Sequence, residues 1–487
     1  MIKDFSGREK QIINERKRKI KELKEQGINP YVTRFNKKQN ISECLNSKLN
    51  SQIQTAGRII TKRDLGKIAF AKIMDYSGEI QFVLQKDETP EKAREFFKKY
   101  IDTGDFIGIK GKIFKTKTGE KSILIEKLEI LTKAIIPLPE KFHGLQDKEE
   151  KYRKRYLDMI INPETRKIFE KKALFWKAVR DFMEKKGFLE VETPILEVTT
   201  GGADARPFQT YHNDFDLNVY LRISVGELWQ KRLMASGFEK TFEIGRVFRN
   251  EGSSQEHLQE FTNMEFYWAY ADYKDGMKLV KELYKKIAKE VFGKTKFKIR
   301  NYEFDLASEW KEIDYREEIL KQTKIDILKT NKDEMILKLK QLNVKYDGGS
   351  KERLIDSLWK YCRKNISGPA FLINEPKAMS PLAKSKPDNP EFTERFHVLI
   401  AGSEIGNGYS ELNDPIDQKE RFEEQQKMRD SGDEEAQMND YDFVEMLEHG
   451  MPPVCGFGFG ERLFSTLMNK SIRECQIFPL MKPEIKK

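Results

Sequence analysis

Alternation of apolar and polar positions between residues 53 and 132 predicts a small β domain. The segments IQTAGRII, KIAFAKIMD, GEIQFVLQ, DFIGIKGKIF and KSILIEKLEIL alternate in this way, which is the period of strands with one buried face. Turn signals at Ser77-Gly78 and at Gly119 separate some of them. Five short strands in one stretch predict a small closed barrel of the OB type, and the pattern alone also allows a sandwich.

Helical periodicity flanks this region. Residues 1–30 predict a helix that ends at Gly27, before an Asn-Pro stop signal. Its basic run places five cations between Arg16 and Lys21. This face is either an ordinary solvated surface or one that contacts phosphates.

The residue patterns after the barrel divide the rest of the chain into a linker and a second domain. Pro137-Leu138-Pro139 marks a linker, and mixed α and β patterning follows to the end. Helical patterning rich in Lys and Glu across 276–290 and 311–365 predicts an inserted helical piece. The predicted map is a basic helix at 1–30, a barrel domain at 31–136, a linker at 137–164, and a domain at 165–487 with a helical insertion at about 295–365.

Composition limits the function classes. The chain has 487 residues, of which 38% are hydrophobic and 34% charged, and it contains no apolar stretch long enough for a membrane helix. We therefore expect a cytoplasmic protein without a membrane partner. Its net charge of +10 weakly favours a polyanionic partner. Four scattered cysteines predict reduced structural thiols and neither a zinc site nor a disulfide framework.

The segment 242–273 carries the most chemistry. As two antiparallel strands it sorts its side chains by a period of two. Burying polar groups unpaired costs several kcal/mol each, so a polar face on a buried sheet indicates a site, although a solvated outer face is the alternative. The apolar face holds Phe242, Ile244, Phe248, Met264, Phe266 and Trp268, the polar face holds Arg249, Glu251, Asn263, Glu265 and Tyr267, and a loop suited to phosphates holds Gly252, Ser253, Ser254 and His257.

Two further segments add candidate residues. In GSEIGNGYSELNDP an extended backbone would point Asn407, Tyr409 and Glu411 the same way, with Glu404 at a different offset. A carboxylate ringed by tyrosine and asparagine suits an ammonium group. In PPVCGFGFGERLFSTLM the alternating glycines allow close approach to a ligand. Arg462 would begin a helix, where the dipole disfavours a cation, which makes it a candidate phosphate ligand.

Together these segments resemble the signature motifs of class II aminoacyl-tRNA synthetases. The helix and strand of 169–196, ending near Pro194, resemble the first motif, which forms a dimer. FRNEG with EFT resembles the second motif and GFGFGER the third. FTNMEFYWAYADY, EIGNGYSELNDP, the barrel segments TKRDLGKIAFAKIMDYSGEIQF and FKTKTGEKSI and the linker are similar to the lysine enzymes of the class. The resemblance is thinnest around 295–365.

The resemblance implies a fold and a reaction. The fold class is α+β, with an N-terminal OB-fold anticodon-binding barrel and a catalytic domain built on an antiparallel sheet flanked by helices. The reaction is activation of L-lysine by ATP to lysyl-adenylate, followed by transfer to the 3′ end of tRNA(Lys) with release of AMP and pyrophosphate. The family works as a homodimer and uses Mg²⁺.

The resemblance also implies roles for individual residues. Arg249 would bridge the lysine carboxylate and the α-phosphate of ATP, while Arg462 and His257 would hold the outer phosphates; the two arginines would be catalytic. Phe261 would stack on adenine, and Glu251 would read its amino group. These roles suit the chemistry, because adenylate formation needs positioning and charge neutralisation more than a general base.

The remaining implied residues form three groups. Glu404 would ligate magnesium, with His397 at the position of a second ligand. A buried Glu411 left unpaired by a shorter neutral amino acid would favour lysine. The lysine site would comprise Gly202 and Glu227 at the α-amino group with Glu265, Tyr267, Asn407, Tyr409 and Glu411, and the anticodon site would comprise Arg63, Phe70, Gln81 and Glu120.

The sequence departs from the family at several points. His397 stands where a glutamate is usual, which leaves the number of magnesium ions open. The loop SSQEHLQEF lacks the usual arginine before His257 and Asn-Pro after it, the segment before Glu227 is one residue longer, and the third motif is one residue shorter. Arg249, Glu251 and Arg462 are all present, which favours a divergent but active enzyme.

Three other functions are open. A non-catalytic RNA-binding protein could keep the barrel with a degenerate synthetase domain, but the intact arginines and pocket carboxylates argue against it. A paralogue that lysylates a translation factor would lack the barrel. Specificity for aspartate or asparagine would require a different amino-acid pocket.

Overall fold

A computed structural model describes residues 6–139, 145–203, 205–346, 350–431 and 436–483. The chain forms two compact units, Met1–Ile161 and Asn162–Lys487. Residues 140–144 of the predicted linker, 1–5 of the predicted first helix and 347–349 of the predicted insertion lie outside the described residues.

The first unit contains the predicted barrel. Its strands close in the order β1-β2-β3-β5-β4, so the closed barrel is confirmed and the sandwich is wrong. Alternate isoleucines of the strands, such as Ile73, Ile109 and Ile123, fill the interior. The elements are α1 (Gly7–Glu25), α2 (Ile41–Asn46), β1 (Gln52–Asp64), β2 (Ile68–Met74), β3 (Glu79–Gln85), α3 (Glu91–Tyr100), β4 (Phe106–Lys115), β5 (Lys121–Thr132), α4 (Lys148–Arg153) and α5 (Arg155–Ile161).

Helix α1 begins at a Ser6 capping box and ends before Gly27, whose φ is +72°, as predicted. Both interpretations of its basic face are wrong for two of the cations. Arg16 is buried and donates to the carbonyls of Thr103 and Ala134, and Lys19 donates to Asp102 at 2.9 Å. These cations therefore tie the helix to its own barrel, because carbonyls and a carboxylate there satisfy their donors.

The second unit is built on one large sheet. Its strand order is β14-β15-β16-β17-β18-β11-β10-β6, antiparallel except for the β14–β15 and β10–β6 pairs. The elements are α6 (Pro163–Lys185), β6 (Leu189–Glu190), β7 (Leu196–Glu197), β8 (Phe208–His212), β9 (Leu217–Leu221), α7 (Glu227–Ala235), β10 (Lys240–Phe248), β11 (Glu260–Ala269), α8 (Tyr273–Phe292), β12 (Lys296–Ile299), β13 (Tyr302–Asp305), β14 (Lys311–Asp314), α9 (Tyr315–Thr323), α10 (Lys332–Gln341), α11 (Lys351–Cys362), β15 (Ala370–Ile373), β16 (Arg395–Ile400), β17 (Ser403–Ser410), α12 (Pro415–Asp430), α13 (Tyr441–Glu448), β18 (Val454–Gly460) and α14 (Arg462–Leu467).

The β10–β11 hairpin sorts its side chains as the alternation predicts. Glu243 pairs with Glu265, and Gly245 pairs with Asn263. Met264 and Phe266 are fully buried in the core that α6 and α8 form against the sheet. Because a strand turns successive residues to opposite faces, the residues between them face the other side of the sheet, where the candidate site lies.

The predicted helical insertion is only partly helical. Residues 296–314 form β12, β13 and β14, and β14 joins the edge of the main sheet, so a helix there is wrong. Charged and apolar residues alternate in β12 and β13, which pair with each other as a hairpin, whereas β14 pairs with β15, which is distant in sequence. Helices α9, α10 and α11 do form, and they pack into a core around Trp359.

Two general properties complete the description. Each of the four cysteines is buried and carries a free thiol. Within the part of the chain that the structure describes, no helix is both long and apolar enough to cross a membrane.

Candidate active site and nucleic-acid face

One open cavity of about 320 Å³ lies on the polar face of the large sheet. Strands β11, β17 and β18 form its floor, and the loop after β10, the start of α7 and the start of α14 form its walls. It brings together every residue predicted for the ATP, lysine and metal sites: Gly202, Glu227, Arg249, Glu251, His257, Phe261, Glu265, Tyr267, His397, Glu404, Asn407, Tyr409, Glu411 and Arg462.

One end of the cavity is acidic. Glu227, Glu265 and Glu411 are each at most 6% exposed. Glu265 accepts hydrogen bonds from Val225 N at 2.8 Å and Asn263 Nδ2 at 3.0 Å on one oxygen, and from the Tyr267 hydroxyl at 3.1 Å on the other. These donors are neutral, so the carboxylate keeps its capacity to attract a cation.

Lys231 forms the centre of this acidic end. It is 1% exposed, and its Nζ lies 2.8 Å from Glu227 Oε1 and 2.5 Å from Glu411 Oε2. The ammonium also lies 5.6 Å from the centre of the Tyr409 ring, whose hydroxyl donates to Glu227. Burial would lower the pKa of Lys231, but the two carboxylates outweigh it and the pKa is raised. The lysine is therefore a fixed internal cation.

Glycines on β18 leave room for the acidic side chains. A Cβ on Gly456 would lie 2.0 Å from Glu411 Oε1, and a Cβ on Gly458 would lie 2.8 Å from Glu265 Cγ. We expected these glycines to let a ligand approach the backbone. These glycines line the cavity, and they also make room for the carboxylates of Glu411 and Glu265, because the glycine positions of β18 carry no side chain.

Burial and the neighbouring carboxylates raise the pKa values of Glu265 and Glu411. Burial, with the charge of Glu227, raises the pKa of Glu265 to about 7. Burial also raises the pKa of Glu411, although Lys231 opposes the shift. Because each carboxylate repels the others, a further cation in the cavity would favour their ionised forms.

The other end of the cavity is cationic. The Arg249 guanidinium lies 5.4 Å from the centre of the Phe261 ring, and its Nε donates to the carbonyl of Ile223. Arg462, the first residue of α14, donates to the carbonyl of Glu404 at 3.4 Å. Burial and the charge of Arg462 lower the pKa of His257. An anion with several oxygens would relieve this accumulation of positive charge.

Glu404 and His397 lie beside each other in the cavity wall. His397 Nε2 is 2.7 Å from Glu375 Oε2, and its Nδ1 is 3.8 Å from Glu404 Oε2. Trp359 donates to Glu404 Oε1 at 2.5 Å. The side chain of Glu404 is 31% exposed to the cavity. Burial of the rest of the group would raise the pKa of Glu404. The charges of His397 and Arg363 outweigh burial, so the pKa is lowered and the carboxylate is ionised.

A second candidate site lies on the outer face of the barrel. Arg63 on β1 pairs with Phe70 on β2, whose neighbours on either side are buried, so that Phe70 faces outward. Gln81 on β3 pairs with Lys72, two residues along the same face. Lys72 Nζ lies 3.7 Å from Glu120 Oε1. The four residues predicted for anticodon reading are therefore brought together on one face.

Comparison with known proteins identifies the family. Residues 147–482 match tRNA synthetases class II (D, K and N), and residues 53–131 match the OB-fold nucleic acid binding domain. The chain is 46% identical to the lysine–tRNA ligase of Thermosipho africanus over 99% of this chain and 97% of the relative. It is 44% identical to that of Thermoanaerobacter pseudethanolicus over 97% and 96%, and 42% identical to that of Thermotoga maritima over 99% and 97%. The chain belongs to the lysine–tRNA ligase family. This resemblance and the α+β fold predicted with it are confirmed.

Lys231 and Arg395 in the candidate site were missed from the sequence. We expected a shorter neutral amino acid to leave Glu411 unpaired, and this is wrong because Lys231 pairs with it. The spacing of Glu227 and Lys231, four residues apart on a helix, is a signal that could have indicated the pair. Arg395 was also missed; it donates to Asn407 Oδ1 at 2.8 Å and so orients the amide.

Proposed function

We propose that the protein activates L-lysine with ATP to lysyl-adenylate and transfers the lysine to the 3′ end of tRNA(Lys), releasing AMP and pyrophosphate. The observation that carries this proposal is the cavity itself, with buried carboxylates at one end and arginines at the other. An amino acid with a second ammonium group would fit the acidic end, and a triphosphate would fit the cationic end.

The charges of the acidic end favour lysine over aspartate and asparagine. Glu227, Glu265 and Glu411 carry three negative charges when ionised, and Lys231 returns one positive charge. The two negative charges that remain match the α- and ε-ammonium groups of a lysine substrate. A substrate carboxylate at this end would be repelled, and a neutral amide would leave a buried charge unpaired, which is strongly disfavoured.

At the cationic end, we assign Arg249 to the lysine carboxylate and the α-phosphate. Its guanidinium lies beside the Phe261 ring, so an adenine stacked on that ring would bring the α-phosphate near the arginine. Glu251 would accept from the adenine amino group, and His257 and Arg462 would contact the outer phosphates. The arginines would then stabilise the charge that develops as pyrophosphate leaves.

The donor set fits a magnesium ion held by few protein ligands. Glu404 is ionised and faces the cavity, and a carboxylate oxygen is a ligand that Mg²⁺ prefers. His397 Nε2 is engaged with Glu375, and an imidazole is a poorer ligand for this ion. We propose Glu404 as the main protein ligand, with phosphate oxygens and water as the others. Bound there, the ion would neutralise phosphate charge.

We propose that the outer face of the barrel binds the anticodon of tRNA(Lys). Phe70 is partly exposed and pairs with Arg63 on β1, and an aromatic ring on such a barrel is a stacking platform for an unpaired base. Arg63, Gln81 and Glu120 would contact base edges around it. The match to the OB-fold nucleic acid binding domain supports this role.

We further propose that the protein is a cytoplasmic homodimer. The segment after α6 exposes large apolar side chains, among them Ile195 (46%), Leu196 (51%) and Val198 (68%). A run of exposed apolar residues marks an interaction surface, and it follows the helix and strand that resemble the dimer-forming motif. The mass of the protein in solution, measured by light scattering, tests this, and a monomer would contradict it.

Charging of tRNA tests the whole proposal. The purified protein with ATP, Mg²⁺ and radiolabelled lysine should attach label to tRNA(Lys), and the label should be lost on mild alkaline treatment, which cleaves the aminoacyl ester. Transfer of aspartate to tRNA(Asp), of asparagine to tRNA(Asn), or of lysine to a protein acceptor instead would contradict it.

A further inference from the structure

Arg363 is a half-buried cation to which the proposed function assigns no role. It follows α11 in the short turn Arg363–Asn365, and its Nε and Nη1 atoms are buried without a hydrogen-bond partner among the residues that the structure describes. A guanidinium stays charged in proteins, and burying its donors unsatisfied is costly. Such a group therefore indicates a ligand with oxygen acceptors.

The position of Arg363 at the end of α11 places it near the wall of the cavity. The Arg363 N–H bonds to the Trp359 carbonyl, so the backbone between them is still helical. Residues four apart on a helix lie on the same face, and Trp359 on that face donates to Glu404 Oε1 at 2.5 Å. Just beyond Arg363, Ile366 accepts a hydrogen bond from Gly402, next to β17. Arg363 is thus held beside the strand that carries Glu404.

The charge of Arg363 affects the pKa values of two groups at the cationic end, His257 and Arg462. After burial and the charge of Arg462, it contributes with Arg249 to lowering the pKa of His257. Burial lowers the pKa of Arg462, and Arg363 adds to that shift against the opposing charge of Glu256. Arg249 and Arg363 therefore lie close enough to His257 and Arg462 for their charges to interact, and the four residues come from three separate parts of the chain.

We propose that Arg363 is an additional phosphate-binding residue, which contacts the outer phosphates of ATP and the departing pyrophosphate. This inference rests on the proposed binding of ATP in the cavity. In the reaction, a lysine carboxylate oxygen bonds to the α-phosphorus while the bond from that phosphorus to the bridging oxygen breaks, and the electron pair leaves on pyrophosphate. A guanidinium can pair with two phosphate oxygens at once, so Arg363 stabilises the leaving group. The inserted helices α9–α11 then have a function, which is to deliver this cation.

The test compares Arg363→Met with Lys364→Met, which removes an exposed cation from the neighbouring position. Calorimetry measures the Kd of ATP, pyrophosphate and AMP for each protein. We expect Arg363→Met to weaken ATP and pyrophosphate about tenfold or more, to change AMP less than about twofold, since AMP lacks the outer phosphates, and Lys364→Met to resemble the wild type. Arg363→Lys, which keeps the charge but loses the paired donors, should weaken ATP less than Arg363→Met does.

Two results would overturn the inference: unchanged ATP and pyrophosphate affinity in Arg363→Met, or equal weakening of AMP. Circular dichroism of each variant identifies a folding defect, and in that case Arg363→Lys decides by the same comparison. Failure of the wild-type protein to bind ATP would instead count against the proposed function. If the wild-type protein binds ATP and Arg363→Met binds it equally well, the role of Arg363 is contradicted and the proposed function is not.

Discussion

Replacing Lys231 with methionine tests how the acidic end of the cavity works. The variant keeps the length of the side chain and removes the ammonium that lies 2.8 Å from Glu227 and 2.5 Å from Glu411. Loss of one partner from a buried ion pair costs about 3–5 kcal/mol of stability. Glu411 can reduce this cost by taking up a proton, because burial already raises its pKa. We therefore expect a loss near or below the lower end of that range.

Protonation of Glu411 in Lys231→Met should also weaken the binding of the lysine substrate. A protonated Glu411 no longer attracts an ammonium group, and a hydrogen bond to a charged group contributes about 1.5–3 kcal/mol. The kcat/KM for lysine in ATP–pyrophosphate exchange should fall about 10- to 150-fold, through the KM for lysine. The KM for ATP should hardly change, since its proposed site is at the other end. Raising the pH should restore part of the loss as Glu411 ionises.

Arg232→Met is the matched control. Arg232 is the next residue on α7, and it pairs with Asp440 at 3.2 Å away from the three carboxylates. Its loss should leave the KM for lysine unchanged. A KM for lysine in Lys231→Met that stays within about twofold of the wild type at every pH would refute the idea that Lys231 sets the charge of the pocket.

Further predictions concern the barrel, the pH profile and the metal ligand. Phe70→Ala should weaken tRNA charging by about 1–3 kcal/mol and leave lysine-dependent exchange intact; an equal loss of both activities would contradict separate sites. The pKa of Glu265 is raised to about 7, so kcat/KM for lysine should fall as the pH drops below that value and level off above it. A flat profile from about pH 6 to pH 8.5 would be inconsistent with this. Glu404→Gln should damage exchange far more than His397→Gln, and His397→Glu should lower the magnesium concentration for half-maximal activity; the opposite order of the first two would assign the metal to His397.

The alternation of apolar and polar residues along the chain predicted the barrel strands and the β10–β11 hairpin. The barrel strands and the hairpin bury every second side chain, so alternation alone identified their faces, as Met264 and Phe266 show. Strands β12 and β13 form a local hairpin, and the helical prediction overlooked the alternation within it. Strand β14 was misassigned because its strand character comes from pairing with the distant β15. Tertiary pairing of this kind leaves only a weak local signal.

The candidate site shows the same division. Spacing and resemblance gathered residues that the structure brings into one cavity. What they did not provide is the pairing among charges. Arg16 and Lys231 are both basic residues on amphipathic helices, and only the folded chain shows that one meets carbonyls and the other meets carboxylates. Arg363, which we propose as a phosphate ligand, belongs to no sequence motif and was not identified for that reason.

The most direct test of the central claim is ATP–pyrophosphate exchange without tRNA, measured with each amino acid separately. The acidic pocket with its internal Lys231 predicts exchange that depends on lysine, with aspartate and asparagine near background. Exchange with aspartate or asparagine equal to that with lysine, or no exchange with any amino acid, would contradict the account.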